Sequence, residues 1–353
     1  MERYAAGRER VHVPGASALE LLAGALIGAD NFARRRQAGA PRRVLAALVA
    51  VLAASLCWPS AAEADRVKFT REYTPFTEDG LPVVTFYVNG QETYGNFVID
   101  TGTGWLLISD DFADRLKLKV HPMTTDAGET VRMPDRKHAQ GCDVEIQFGP
   151  IPVRGPVLVT PSSSLQVHGG FTIDGIIGHS LLSKCAILFD FGRKQITVLY
   201  PGGLKDDEVK SLGFAGATVV PAALDPAGGW SVPVSLNGRL SIDLVVDTGG
   251  AATNIPASTA AELKLKPVKR NIQSKLLTGP LVTSQALVST LAIGDLTLQD
   301  QPVEYARRDP RPFLPRLGME TLRHFRLLMD YATKRFYFMK ADNVAATGAN
   351  DLR

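Results

Sequence analysis

The chain is poor in the residues that announce metal or cofactor chemistry. Only three cysteines occur in 353 residues, and the six histidines are scattered. No His-Glu-x-x-His, phosphate-binding glycine loop or Gly-x-Ser-x-Gly elbow is present. These absences argue against a zinc hydrolase, a nucleotide-dependent enzyme and a serine hydrolase, and no metal or cofactor is expected. A net charge of one sign is also missing from most of the chain. The first 64 residues hold eight of the 39 basic and five of the 36 acidic side chains, so the formal +3 belongs to them and 31 of each sign remain. A neutral body exerts no general pull on nucleic acid or anionic lipid, so those partners are not expected. Long apolar runs are absent as well. The run Val44–Trp58 spans 15 residues, short of the roughly 20 that a membrane span needs.

That run instead reads as the apolar segment of a secretory leader. Arg42-Arg43 precede it and Ala62-Glu63-Ala64 follow it, an A-x-A cleavage pattern, so cleavage is expected after Ala64. The mature protein would then be exported, periplasmic or secreted, with no stable membrane span. Arg34–Arg36 and Arg42-Arg43 also allow a twin-arginine reading, but the residues after them fit it poorly. The 40 leading residues are long for the charged region of a leader, as a misassigned start would produce. Cys57 leaves with the leader; Cys142 and Cys185 remain, either as one disulfide in an oxidising compartment or as two separate buried thiols.

What the chain does have is an internal duplication. Phe97–Ser109 reads FVIDTGTGWLLIS and Leu244–Pro256 reads LVVDTGGAATNIP. In each, an apolar run enters Asp-Thr-Gly, which places a carboxylate on a tight loop at the end of a buried strand. Asp100 and Asp247 are 147 residues apart, as are Ile108 and Ile255, Ala113 and Ala260, and the two Leu-Lys-Leu-Lys strings beginning at Leu116 and Leu263. Upstream, Asn89-Gly90 and Asn237-Gly238 predict two-residue hairpin turns ahead of each Asp-bearing strand. Downstream, Gly178 and Gly318 each precede an aspartate, Asp190 and Asp330, by 12 residues. The pattern predicts a duplicated all-β lobe with short helices near Asp111–Leu118 and His179–Lys184. Lobe one would run over 65–200 and lobe two over 217–340. Residues 201–216 would be the linker, with the charged run Lys205–Lys210 as a solvated face, and 341–353 a flexible tail.

On these residues the sequence resembles a bacterial retropepsin-like aspartyl protease with both lobes fused in one chain, as in pepsin-like enzymes. The matching elements are the two Asp-Thr-Gly triplets, the apolar-Gly elements Ile176-Ile177-Gly178 and Leu317-Gly318, and the terminal strands around Asp190 and Asp330. The resemblance implies two homologous acid-protease β-barrel lobes with the active site in the cleft between them. It implies that the apolar-Gly strand crosses behind each Asp loop, and that Thr101 and Thr248 hydrogen-bond across the lobe interface. Gly102 and Gly249 would let the backbone pack beneath the carboxylates. Two departures stand out. Arg316 occupies the place where an apolar residue usually precedes Leu317-Gly318, which would alter packing behind Asp247. Neither 122–141 nor 271–284 holds a tyrosine, so the flap tyrosine of pepsin-like enzymes is missing. Gly128 and Gly279 are the candidate flap tips.

Two carboxyls a hydrogen bond apart cannot both ionise readily, so such a pair shares a proton and supplies a base and an acid together. The ionised member takes a proton from water, which attacks a peptide carbonyl that the protonated member polarises. The catalytic candidates are therefore Asp100 and Asp247. Thr101, Gly102, Thr103, Thr248, Gly249 and Gly250 would support them. Thr103 carries a hydroxyl where Gly250 has none, which predicts a hydrogen bond to Asp100 and an ionised Asp100. The function read from this is an exported aspartic endopeptidase acting on a peptide or protein substrate. The alternative is a catalytically inactive protein of the same fold that binds or scaffolds peptides. One chain supplies both aspartates, so a monomer suffices.

Overall fold

The computed structural model describes residues 66–76, 80–90, 93–123, 139–165, 172–225, 229–276, 279–309 and 313–341. The expected leader, Gly128 and all of the expected tail but Ala341 lie outside them. The described chain is built of strands with a few helices of four to six residues, as the duplicated all-β reading requires.

Alternation builds the opening hairpin of each lobe. In Trp230–Leu236, Val232, Val234 and Leu236 are fully buried while Ser231, Pro233 and Ser235 face outward or sit at the boundary. This is the period-two pattern of a strand with one face in the core. In lobe one the stretch Val84–Val88 does the same, with Val84, Phe86 and Val88 buried and Thr85 and Tyr87 exposed. The Asp-bearing strands, Tyr94–Ile99 and Leu240–Val246, alternate at first and then become continuously buried, Phe97-Val98-Ile99 and Leu244-Val245-Val246. They lose the alternation because each is covered on both faces. Each pairs antiparallel with its hairpin partner and parallel with the apolar-Gly strand, Gly175–Ile177 or Arg316–Leu317.

In lobe one, six strands close into a barrel: Leu81–Val88, Tyr94–Ile99, Gly175–Ile177, Leu106–Ser109, Ile151–Thr160 and Gln140–Phe148, the last pairing back onto the first. In lobe two the counterpart of Leu106–Ser109 shrinks to a single residue. Asn254, 147 positions after Leu107, bridges Arg316 on one side and Glu304 on the other. The barrel is closed by that one polar residue.

Both Asn-Gly pairs adopt left-handed backbone at both residues, as predicted, but the loops are longer than two residues. Tyr94 pairs with Tyr87, and Leu240 with Leu236. The reason is tertiary: the Asn89 and Asn237 side chains accept hydrogen bonds from the Glu145 and Thr290 amides of a neighbouring strand, which pins the loop to the barrel.

The closing hairpins of the two lobes, Ala186–Asp190 with Gln195–Tyr200 and Phe325–Asp330 with Arg335–Lys340, form as expected. They do not close their own lobes. They join edge to edge, with Leu188 opposite Leu328, in a six-stranded antiparallel sheet completed by Val67–Glu72 and Thr218–Pro221. The segment expected as a linker, 201–216, is likewise folded. It carries the short helix Asp206–Val209, buries Leu204, Val209 and Phe214 against Leu188 and Leu328, and donates the Gly203 and Leu204 amides to the buried Asp330 carboxylate at 2.9 and 2.7 Å. Cys142 and Cys185 are free and buried, so the two-thiol alternative holds. No helix among the described residues is long and apolar enough to cross a membrane.

Candidate active site

The two Asp loops meet at the junction of the lobes. Each aspartate amide donates to the apolar-Gly strand behind it, Asp100 to the Ile177 carbonyl and Asp247 to the Leu317 carbonyl, both at 3.0 Å. The first turns of two short helices hold the loops from the other side. Thr103 and Gly104 carbonyls accept the His179 and Ser180 amides, and Gly250 and Ala251 carbonyls accept those of Met319 and Glu320. A side chain at Gly178 or Gly318 would lie 2.2 Å from the Trp105 carbonyl or 2.4 Å from that of Ala252, so only glycine lets the brace pass this close.

The loops then lock to each other. The Thr101 amide donates to Thr248 Oγ1 and the Thr248 amide to Thr101 Oγ1, while each hydroxyl donates to a carbonyl of the opposite lobe, Val246 or Ile99. The predicted cross-lobe threonine bonds are present, in this reciprocal form. This interlock brings the carboxyls together. A Cβ on Gly102 would fall 2.3 Å from Asp247 Cγ, and one on Gly249 would fall 2.2 Å from Asp100 Cγ. The Gly102 and Gly249 amides donate to Oδ1 of their own loop's aspartate at 2.8 and 3.0 Å. Asp247 is fully buried and Asp100 nearly so. Burial first, then the charge and hydrogen bond of Asp247, hold the Asp100 carboxyl well above the ordinary carboxylate range, with Arg316 and the Gly102 amide offsetting part of the rise.

Two sequence expectations are corrected here. The Thr103 hydroxyl makes no hydrogen bond to Asp100; Thr103 supports the loop through its carbonyl and through its methyl group packed at Gly178. Arg316 does not merely alter packing behind Asp247. Its guanidinium reaches Asp247 Oδ2 at 2.8 Å. Burial opposes the arginine charge, but Asp247 and Asp100 outweigh it and push its pKa above the ordinary value. The hydroxyl expected to bond Asp100 is thus not in place, and the charged group beside the pair stands against Asp247 instead. The residue itself was legible, since aligning the repeat sets Arg316 against Ile176; its reach was not.

Gly279, the second candidate flap tip, begins the return strand of the hairpin Lys269–Leu276 with Gly279–Ile293, directly opposite Leu276. Trp105 packs, half-buried, against the apolar cluster of Leu107, Leu158 and Ile176. Sequence reasoning missed one contact between lobes: Trp230 Nε1 donates to His179 Nδ1 at 3.1 Å, with the Tyr331 ring tilted against the imidazole and edge-on to the indole. No local signal marks that pair, since the two residues lie 51 positions apart in different lobes. No group of His, Cys, Asp and Glu able to hold a metal ion occurs among the described residues.

Among solved structures, the chain is similar to conglutin gamma, described as a unique basic 7S globulin from lupine seeds. The two share 11% identity over 79% of this chain and 96% of that one, with a TM-score of 0.46. A search of curated proteins returns no match. The family model of the aspartyl proteases matches twice, over residues 84–181 and 232–321, one match to each lobe. With two Asp-Thr-Gly loops interlocked face to face, this chain belongs to the aspartyl protease family.

Proposed function

We propose that the protein is an exported aspartic endopeptidase that hydrolyses peptide bonds with a water activated between Asp100 and Asp247. The observation that carries this is the buried, face-to-face pair of carboxyls on loops locked by the Thr101–Thr248 exchange. A protein that only bound peptides would have no use for two carboxyls forced together at the cost of burying their charge. In the reaction the ionised carboxylate takes a proton from water as the water oxygen attacks the peptide carbonyl, and the protonated carboxyl gives its proton to the carbonyl oxygen. Collapse of the resulting diol breaks the C–N bond as the first aspartate passes its proton to the leaving nitrogen and a diol hydroxyl returns its proton to the second aspartate, which leaves a new carboxyl group and restores the shared-proton pair. Export rests on the leader: the apolar run Val44–Trp58 behind Arg42-Arg43, and the A-x-A pattern ending at Ala64.

Hydrolysis of a mixed peptide library by the purified protein from about pH 3 to 7, beside Asp100→Asn and Asp247→Asn, tests the reading. Cleavage that disappears in both variants supports it. A folded wild type that cuts nothing, with both variants binding peptides equally well, assigns the fold to peptide binding instead. N-terminal sequencing of the protein from cell-envelope and culture fractions tests export; a start at Asp65 is expected.

A further inference from the structure

The surroundings of the two aspartates are nearly symmetric. Each accepts its own loop's glycine amide, each amide is held by the strand behind, and each faces the other lobe's glycine. Arg316 breaks the symmetry. Its place in lobe one is taken by Ile176, buried among Leu107, Leu158 and Trp105. The Arg316 backbone is clamped between Val245 and Asn254, exchanging 2.8 and 2.9 Å bonds with Asn254. The side chain is therefore launched from a fixed point towards Asp247. Nor is this an idle surface pair, because its partner carboxylate is fully buried and screening by solvent is weak there.

We propose that Arg316 is a third member of the catalytic apparatus, a fixed cation that keeps Asp247 ionised and leaves the shared proton on Asp100. Asp247 is then the base that takes the water proton, and Asp100 the acid that protonates the substrate carbonyl. This assignment of roles rests on the protease reading above; the hold of Arg316 on the proton does not. The other groups near the pair do not compete with it. Tyr331, whose ionisation is opposed first by burial, stays neutral. Glu304, across Asn254, turns its carboxylate to the Thr283 hydroxyl at 2.7 Å. His179 is engaged by Trp230.

The cation lowers the proton affinity of the pair, so removing it must raise both apparent ionisations. The test is a carboxyl carbon-13 NMR titration of the full chain, with Asp100→Asn and Asp247→Asn as assignment controls. Arg316→Ile installs the lobe-one residue, and Arg316→Lys is the conservative rescue. The expected result is that Asp247 ionises first in the wild type, at least tenfold more readily than in Arg316→Ile, with Arg316→Lys in between. The acid limb of the kcat/KM profile should move up by about one pH unit in Arg316→Ile. Should Arg316→Ile fail to fold, Arg316→Gln, which keeps hydrogen-bonding capacity without the charge, carries the same expectation. Unchanged titrations in a folded charge-free variant would overturn the proposal, even in an active enzyme. A displaced titration in a protein that cuts no peptide would leave Arg316's role standing and remove the protease reading alone.

Discussion

Thr101 and Thr248 each receive the other's backbone amide on their side-chain oxygen, at 3.1 and 3.2 Å, and pass their own hydroxyl hydrogen to a carbonyl of the opposite lobe. Both are fully buried, so neither lost bond can be replaced by water without opening the interface. Thr248→Ala strands the Thr101 amide and the Ile99 carbonyl, and is expected to cost about 2–4 kcal/mol of stability. Thr248→Ser keeps the hydroxyl and should cost less than about 1 kcal/mol beyond its lost methyl. Urea unfolding of both variants measures the difference; equal midpoints would mean that the hydroxyl is replaceable.

Gly249→Ala adds a carbon that would sit 2.2 Å from Asp100 Cγ. It must push the carboxyls apart, so hydrolysis is expected to fall by about 100-fold or more through lost geometry. Gly192→Ala is the control, its added carbon meeting nothing closer than 3.7 Å. Steady-state kinetics with one peptide substrate compares them, and full activity in Gly249→Ala would show that the loops have slack.

His179 is buried and its pKa is pushed down to about 4, first by burial and then by the charge of Lys184. The unfolded chain has an ordinary histidine near 6.5, so between about pH 6.5 and 4 the unfolded state takes up a proton that the folded state refuses. Stability contributed by the neutral imidazole is therefore complete above pH 6.5, falls as the pH drops towards 4, and then levels off. The full effect is about 3 kcal/mol. In His179→Gln, whose amide oxygen can still accept the Trp230 N–H, that part of the pH slope should vanish. Denaturant midpoints at pH 7 and 4.5 for the two proteins check it; parallel slopes would assign the acid sensitivity elsewhere.

A fragment ending at Tyr200 leaves Ala186–Asp190 as a bare sheet edge and strips Leu188 of Leu328 and Phe214. An exposed apolar edge pairs with whatever it meets, so the fragment is expected to dimerise or aggregate. Sedimentation of the fragment against the full chain gives the answer, and a well-folded monomer would show the shared sheet to be dispensable.

Much of this fold is legible in the sequence. The duplicated Asp-Thr-Gly loops, the apolar-Gly braces and the all-β architecture are written in short-range patterns. A run such as Phe97–Ile99 is continuously apolar and so marks a buried strand, and a glycine such as Gly178 answers a need for close approach that recurs in both copies. The segment 201–216 reads as a linker because of Gly202-Gly203 and its mixed charges, while the apolar side chains that fold it, Leu204, Val209 and Phe214, find their partners only on a sheet made by both lobes. The Asn-Gly pairs by themselves predict tighter loops than form, because the strand that captures each asparagine is distant in sequence.

The sequence by itself determined which carboxylates would stand at the ends of buried strands, since strand, turn and glycine are local requirements met within a dozen residues. Only the tertiary structure decided what stands opposite each of them. Arg316 lies 69 positions from Asp247, and its guanidinium arrives there because two barrel strands and the Asn254 bridge aim it. Which aspartate holds the proton depends on charge separations across that assembled junction, and no stretch of sequence encodes a distance between residues that meet only when both lobes have closed.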